Sequence, residues 1–222
     1  MKESKLYPKV EKFVKNKFHC FATGVNKGTK NGRIDIIGIR DIGGDLTGKT
    51  ELISVEVKAA NQPFATTAGQ AIGYSVYAER CYLADLRSGK EPFSQEEIAI
   101  ASKLGIGLIA IKRSGNLIEE VLSSPIHSPI DYMKHEVIER LGYSSCTICN
   151  SIFKRAEENN WGANIKRADV STVNPIKRAV DEKKGFVYWI WSVNERKQKN
   201  NNKHRRYICP DCMSEFYRHF IE

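Results

Sequence analysis

The chain begins with apolar residues at helical spacing and continues with short runs in which apolar and polar positions alternate. The helical apolar positions are Leu6, Val10, Phe13 and Val14. Spacings of three and four residues place them on one face of a helix that extends to about Lys17. Pro8 is tolerated only in a first turn, so we expect the regular helix to begin near Tyr7.

Three strands are predicted after this helix. They comprise residues 18–25, 33–40 and 51–58. In the third run Ile53, Val55 and Val57 alternate with polar residues, a period of two that is typical of a strand with one buried face. The segment 41–50 is rich in Gly and Asp and indicates a hairpin between the second and third strands.

Helices and strands then alternate along the chain. The predicted helices span residues 66–78 and about 95–104, and the predicted strands span residues 81–86 and 106–111. Thr66 or Thr67 is the expected N-cap of the first of these helices. Ser94 and Glu97 have the spacing of a capping box, and Gly105 is expected to end the second helix. This order indicates an α/β fold with a sheet between helices.

A boundary is predicted at segment 123–129, which contains two prolines and three serines. Ser128 as N-cap and Pro129 at the first helical position would begin a helix that runs to about Leu141 and is closed by Gly142. We therefore divide the chain into a domain of residues 1–122, a linker and connecting helix of residues 123–145, and a domain of residues 146–222.

The last domain contains two Cys-x-x-Cys pairs. Their residues are Cys146, Cys149, Cys209 and Cys212. Four thiolates suit a tetrahedral structural Zn²⁺ site, although the two pairs are farther apart than in a usual zinc ribbon. An iron–sulfur cluster is the alternative metal group, and redox chemistry is the alternative for a single pair. We expect a small zinc-binding α+β domain.

Acidic and basic residues on the second and third strands could meet in the predicted hairpin. It would bring Asp35 beside Glu56 and Lys58, and the last two point to the same face of their strand. Two carboxylates suit Mg²⁺ or Mn²⁺, which activates water and stabilises charge on phosphate oxygens. A lysine there can orient the water, or deprotonate it if its pKa is lowered. The alternative is a set of solvated charges on an exposed sheet face.

The next helix adds a third motif, because Gln70 and Tyr74 are four residues apart and share a helix face. The motifs are Ile34-Asp35, Glu56-Val57-Lys58 and Gln70 with Tyr74. In this order they resemble the PD-(D/E)XK nuclease superfamily, in particular its RecB-like branch, although the usual proline before the aspartate is absent. The resemblance covers residues 1–122 and implies a restriction-endonuclease-like mixed sheet flanked by helices.

The resemblance also implies roles for individual residues. Asp35, Glu56 and the main-chain carbonyl of Val57 would hold the catalytic Mg²⁺ or Mn²⁺. Glu11 matches by position the acid that an N-terminal helix often adds to the site; the alternative is an ion pair with Lys15. The motif residues of the second helix, Gln70 and Tyr74, would contact the metal or the DNA.

The charge of the chain favours a nucleic-acid partner. The net charge is +9, and the segment from Cys146 onward contains 15 Lys and Arg against 9 Asp and Glu. Its most basic stretch contains Arg196, Lys197, Lys199, Lys203, Arg205 and Arg206. We expect this stretch to contact DNA phosphates; the alternative is a solvated hairpin tip.

The sequence thus predicts a divalent-metal-dependent nuclease that cleaves DNA and carries a DNA-binding zinc domain. A non-catalytic DNA-binding protein with the same fold and a nuclease acting on RNA or in a larger complex are the alternatives. No apolar stretch approaches the roughly 20 residues that span a bilayer, and no secretory leader is evident, so we expect a cytoplasmic protein without membrane contact. A homodimer is left open.

Overall fold

The structure is a computed structural model. It describes residues 2–29, 32–43, 49–59, 62–88, 92–112, 117–146, 148–154, 186–189, 205–209, 211–212, 215 and 218. The chain divides into two compact units, the first comprising Met1–Ile42 and Thr50–Leu141 and the second comprising Gly43–Lys49 and Gly142–Glu222. The first unit contains the predicted active-site residues, and the second contains the four paired cysteines.

The first unit is a mixed sheet flanked by helices. Its helices are α1 (Tyr7–Lys17), α2 (Phe64–Gly73), α3 (Gln95–Leu104) and α4 (Asp131–Arg140), with short 3-10 turns at Glu3–Lys5 and Tyr74–Val76. Its strands are β1 (Ala22–Thr29), β2 (Gly32–Asp41), β3 (Thr50–Lys58), β4 (Arg80–Arg87), β5 (Gly107–Lys112) and β6 (Ile118–Leu122). They lie in the order β1–β2–β3–β4–β5–β6. Strands β3, β4 and β5 are parallel, and the other neighbours are antiparallel. The predicted α/β class is confirmed.

Helices cover both faces of this sheet. One apolar cluster joins α1 to one face and includes Leu6, Val10, Val14, Ile36, Val55 and Val57. A second cluster joins α2 and α3 to the other face and includes Ala68, Ala71, Leu83, Ala101 and Leu108. Because strand residues alternate between faces, Glu56 and Lys58 lie on the second face. Glu56 is only 4% exposed and Lys58 only 7% exposed, so the alternative of solvated charges is wrong.

The predicted bounds of two elements are wrong. Strand β1 begins at Ala22 because Phe18 still closes the last turn of α1 through its N–H bond to the Val14 carbonyl oxygen. Helix α2 begins at Phe64 with Pro63 as its N-cap, so neither Thr66 nor Thr67 caps it. The Thr67 hydroxyl instead donates to the Phe64 carbonyl oxygen within the first turn, at 2.9 Å.

Helix α4 also begins later than predicted. Its N-cap is Ile130, which has an extended backbone. The backbone N–H of His127 donates to the Glu79 carbonyl oxygen at 2.7 Å, and that of Ile130 donates to the Val76 carbonyl oxygen at 3.0 Å. These contacts with a segment distant in sequence hold residues 127–130 outside the helix.

Local stop and start signals are confirmed elsewhere. Ser94 and Glu97 form both hydrogen bonds of a capping box at the start of α3. Gly105 ends α3 with a φ of 75°, a left-handed conformation that glycine adopts without a steric penalty. Among the described residues, no helix has the length and apolar character needed to cross a bilayer.

The described part of the second unit contains two small antiparallel sheets. One pairs β7 (Tyr143–Ser145) with β8 (Ile152–Lys154), and the other pairs β9 (Phe186–Trp189) with β10 (Arg205–Ile208).

Candidate active site and cysteine cluster

Asp35 lies where β2 and β3 stop pairing through their backbones. The register of the two strands ends with Ile36 opposite Val55. One residue beyond Ile36 on β2 and two residues beyond Val55 on β3, the backbone N–H of Val57 donates to Oδ2 of Asp35 at 2.9 Å. The Asp35 carboxylate therefore takes the place of a backbone acceptor, and it lies in the opening between the two strands.

The second oxygen of Asp35 is held by helix α1. The Tyr7 hydroxyl donates to Oδ1 of Asp35 at 2.9 Å. Burial, followed by the hydrogen bond to Asp35, raises the pKa of Tyr7 above its ordinary value. Tyr7 is thus a neutral donor that fixes the orientation of this carboxylate, and no sequence motif singled it out. A hydroxyl at the start of a predicted helix is too common to be a signal by itself.

Glu56 and Lys58 form an ion pair on the buried face of β3. Oε1 of Glu56 lies 2.7 Å from Nζ of Lys58. Burial is the main cause that raises the pKa of Glu56, and the charge of Asp35 adds to it, although the hydrogen bonds with Lys58 and Tyr74 act in the opposite direction. The two carboxylates of the site therefore lie near enough to repel each other.

Lys58 remains a cation in this environment. Burial alone would lower the pKa of Lys58, but its hydrogen bond to Glu56 and the negative charges of Glu56, Glu3 and Asp35 outweigh burial and raise that pKa. A charged ammonium suits the positioning of a water molecule or a phosphate oxygen. The raised pKa favours this positioning role over direct deprotonation of water.

Tyr74 contacts Glu56 from the turn that follows α2. Its hydroxyl lies within hydrogen-bonding distance of Oε2 of Glu56, and it is 2.8 Å from the Arg33 carbonyl oxygen. A phenol has one proton, so it can donate to only one of these two acceptors at a time. Burial and then the hydrogen bond to Glu56 raise the pKa of Tyr74, which keeps it neutral. Gln70, by contrast, is exposed on α2.

Glu11, the acidic residue of α1, has a contact that the sequence did not predict. The Thr23 hydroxyl on β1 donates to Oε1 of Glu11 at 2.8 Å. Glu3, in the turn ahead of α1, has its carboxylate 3.9 Å from Nζ of Lys58. The structure thus brings together Asp35, Glu56, Lys58 and Tyr74, with Glu3 and Tyr7 beside them. A catalytic role for Glu11 stays a prediction.

The oxygen donors of this site fit a hard divalent cation. Each oxygen of Asp35 and Glu56 has a described hydrogen-bond or ion-pair partner, and a carboxylate oxygen has two lone pairs, so each can accept one more ligand. A cation there would offset the repulsion between the two acids. In a regular strand the carbonyl of a residue lies on the same side as its N–H, and the N–H of Val57 faces Asp35. Mg²⁺ and Mn²⁺ prefer such oxygen ligands, completed by water.

The second unit brings its four cysteines into one cluster. The Sγ atoms of Cys146, Cys149, Cys209 and Cys212 all lie within 4.8 Å of one another. Those of Cys149 and Cys209 are 3.7 Å apart, close to the roughly 3.8 Å expected between thiolates that bind one Zn²⁺ at about 2.3 Å. The four residues are positioned to hold a metal ion.

Backbone donors surround the sulfur atoms of this cluster. The N–H groups of Ile148 and Cys209 donate to Sγ of Cys146 at 3.4 and 3.3 Å, and the N–H of Cys212 donates to Sγ of Cys209 at 3.4 Å. Burial alone would raise the pKa of Cys149, but hydrogen bonds, first from Ser151, lower that pKa to about 7. Such donors orient thiolate ligands. The arrangement is consistent with structural zinc.

The predicted DNA-contacting loop falls largely outside the described residues. Those outside are Arg196, Lys197, Lys199 and Lys203. The backbones of Arg205 and Arg206 begin β10, opposite Trp189 and Tyr188 of β9. The role of this loop stays a prediction.

Comparison with known proteins gives little beyond these observations. No model of a protein family matches the chain, and no curated protein matches it. Among solved structures, SPO1766, a protein of unknown function from Silicibacter pomeroyi, is 17% identical, with 64% of this chain and 84% of that chain covered and a TM-score of 0.44. SfsA from Pyrococcus furiosus, in complex with Ca²⁺, is 13% identical, with 55% and 64% covered and a TM-score of 0.29. Both scores are too low to carry an argument about function.

Proposed function

We propose that this chain is a divalent-metal-dependent nuclease that hydrolyses phosphodiester bonds in DNA. The observation that carries the proposal is the placement of Asp35 in the opening between β2 and β3, beside the buried Glu56–Lys58 pair. The proposed site belongs to the first unit alone.

The burial of these charges favours a functional role over a structural one. A buried ion pair gives little net stability, because the cost of removing both charges from water offsets their attraction. A core strand such as β3 would be at least as stable with apolar residues at positions 56 and 58. Charged groups with shifted pKa values beside a second carboxylate are typical of reactive sites.

Each residue of the site has a distinct part in the proposed chemistry. Asp35 and Glu56 would hold Mg²⁺ or Mn²⁺, which when bound supplies an activated water and stabilises charge on the phosphate. Tyr7 and Tyr74 fix the two carboxylates through hydrogen bonds to them. The Lys58 ammonium would orient the attacking water or attract a phosphate oxygen.

The second unit would assist the first in binding DNA. In this proposal Cys146, Cys149, Cys209 and Cys212 bind one structural Zn²⁺, since their sulfur atoms all lie within 4.8 Å of one another. The excess of basic residues after Cys146 would add contacts to phosphates.

A cleavage assay tests the proposal. The protein is incubated with plasmid, linear, single-stranded and branched DNA and with RNA, in metal-depleted buffer and after addition of Mg²⁺ or Mn²⁺. Asp35→Asn, Glu56→Gln and Lys58→Met keep the size of each side chain and should each reduce cleavage at least about 100-fold. Glu136→Gln, which removes a carboxylate from a surface pair with Arg140, is the matched control and should cleave normally.

The outcomes separate the functional classes. Cleavage of RNA but not of any DNA would show that the substrate is RNA. Binding of DNA without cleavage under any condition would favour the non-catalytic DNA-binding protein. Full activity of the Asp35→Asn variant would exclude this site as the catalytic centre.

A further inference from the structure

Four lysines lie in a line on the exposed side of α1 and the turn ahead of it. They are Lys5, Lys9, Lys12 and Lys15, and together they are called the lysine row; all four are exposed. Lys9, Lys12 and Lys15 are three residues apart, which places them on one face of α1, and Lys5 lies in the 3-10 turn ahead of it. The row spans eleven residues, and about 15 Å along a helix axis separates its first and last members.

No acid neutralises the lysine row within the described part of the chain. Lys17, just beyond the row, pairs with Glu120 at 3.5 Å, but none of the four members forms such a pair. The nearest acids in sequence are engaged elsewhere, since Glu3 lies near Lys58 and Glu11 accepts a hydrogen bond from Thr23. Among the residues that the structure describes, the four exposed charges therefore have no acidic partner.

The stability of α1 does not account for this row. Like charges three and four residues apart repel each other across a helix surface. The N-terminal end of a helix carries a partial positive charge, so Lys5 and Lys9 are unfavourably placed. Helix α1 has no acidic residue in its first turn to offset them. A polyanion bound along the row would relieve all of these repulsions.

The row begins close in sequence to two residues that contact the proposed catalytic residues. Tyr7, between the first two lysines, donates to Asp35 at 2.9 Å, and Glu3, two residues before Lys5, lies 3.9 Å from Nζ of Lys58. We propose that the lysine row holds the phosphate backbone of a nucleic acid whose scissile bond lies at Asp35, Glu56 and Lys58. This inference rests on the proposed nuclease function for the position of the scissile bond.

An anionic membrane is a less suitable partner for the same charges. A helix that binds a bilayer surface inserts its apolar face between the lipid headgroups. The apolar face of α1 is already occupied by the sheet, because Leu6, Val10 and Val14 are at most 1% exposed. Only the charged face is available, and regularly spaced phosphates suit it.

Replacing the four lysines by neutral residues, without introducing acids, tests the row. The full chain carries Gln at all four positions, and the matched control carries Arg at the same positions. The dissociation constant for a fluorescent DNA duplex is measured without divalent cations, over a range of salt concentrations. Each lost phosphate contact flattens the slope of log K against log salt by about 0.9, so the Gln variant should lose about 3–4 units while the Arg variant keeps the wild-type slope. The loss should be the same on unrelated sequences.

Single variants give a second measurement that does not depend on the folding of the fourfold variant. Lys12→Gln should flatten the slope by about 0.9, whereas Lys103→Gln, an exposed lysine of α3, should leave it unchanged. Equal slopes for these two variants and the wild type would overturn the inference. So would binding to phosphatidylserine vesicles but not to DNA or RNA.

The failure of this inference is distinguishable from the failure of the nuclease proposal. If the Gln variant still cleaves DNA and keeps the wild-type salt slope, the lysine row is not the binding surface, but the proposed catalytic site is not contradicted. If the row accounts for salt-dependent binding but no metal supports cleavage, the nuclease proposal is contradicted and the lysine row is supported as a binding surface.

Discussion

Oδ2 of Asp35 accepts a hydrogen bond from the backbone N–H of Val57 at 2.9 Å. The contact lies just past the last backbone pair of β2 and β3, and Val57 is fully buried. Asp35 therefore satisfies a buried donor of the fold in addition to its proposed role in binding metal. Substitutions at this position affect stability and chemistry by different routes.

Two substitutions at Asp35 should separate these routes. Asp35→Ala leaves the buried N–H of Val57 without an acceptor and should lower the free energy of unfolding by about 1–3 kcal/mol. Asp35→Asn keeps an amide oxygen as an acceptor and should lose less. Both variants lose the carboxylate and should bind Mn²⁺ weakly in calorimetry. Equal stability of the two variants in urea unfolding would contradict the structural role.

The tyrosines that hold the two carboxylates should matter less than the carboxylates themselves. Tyr7→Phe and Tyr74→Phe each remove one hydroxyl donor and should reduce divalent-metal affinity or cleavage about 10–100-fold, as expected for partners of metal ligands. Tyr132→Phe is the control, because that side chain is 67% exposed. No change in either affinity or rate for Tyr7→Phe would exclude a positioning role.

The isolated protein should contain one zinc per chain. Cys146→Ser or Cys209→Ser should lose the metal in elemental analysis and unfold the second unit, because the binding free energy of structural zinc is also folding free energy. Cys20→Ala, a buried thiol outside the cluster, should keep the metal. Iron together with visible absorbance would indicate an iron–sulfur cluster instead of zinc. A metal-free protein would exclude both the zinc site and the cluster.

A separate buried network should affect stability but not metal binding in the first unit. Glu51 is 2% exposed and receives hydrogen bonds from Arg40 and Arg80. Glu51→Ala would leave two cations without their shared partner and should cost about 3–5 kcal/mol in urea unfolding. Glu51→Gln keeps one acceptor and should cost less. Loss of Mn²⁺ affinity in a folded Glu51→Gln variant would show that the network also supports the proposed site.

The sequence by itself determined the features that depend on neighbouring residues. The capping box of Ser94 and Glu97 and the left-handed Gly105 follow from local backbone chemistry, so both ends of α3 were predictable. The alternation around Val55 likewise predicted that Glu56 and Lys58 lie on the same face of β3, because strand geometry has a period of two. The two Cys-x-x-Cys pairs indicated a shared metal site for a similar reason, since metal chemistry limits the number and type of ligands.

Only the tertiary structure decided which distant groups meet. Tyr7 contacts Asp35 across 28 positions of the chain, and no local pattern encodes that contact. The hydrogen bond of Ile130 to the Val76 carbonyl oxygen delayed the start of α4 in the same way. The burial of Glu56 follows from the central position of β3 between β2 and β4, which depends on strand order and not on the residues of β3. Periodicity specifies the two faces of an element, but the packing of the whole chain determines what covers each face.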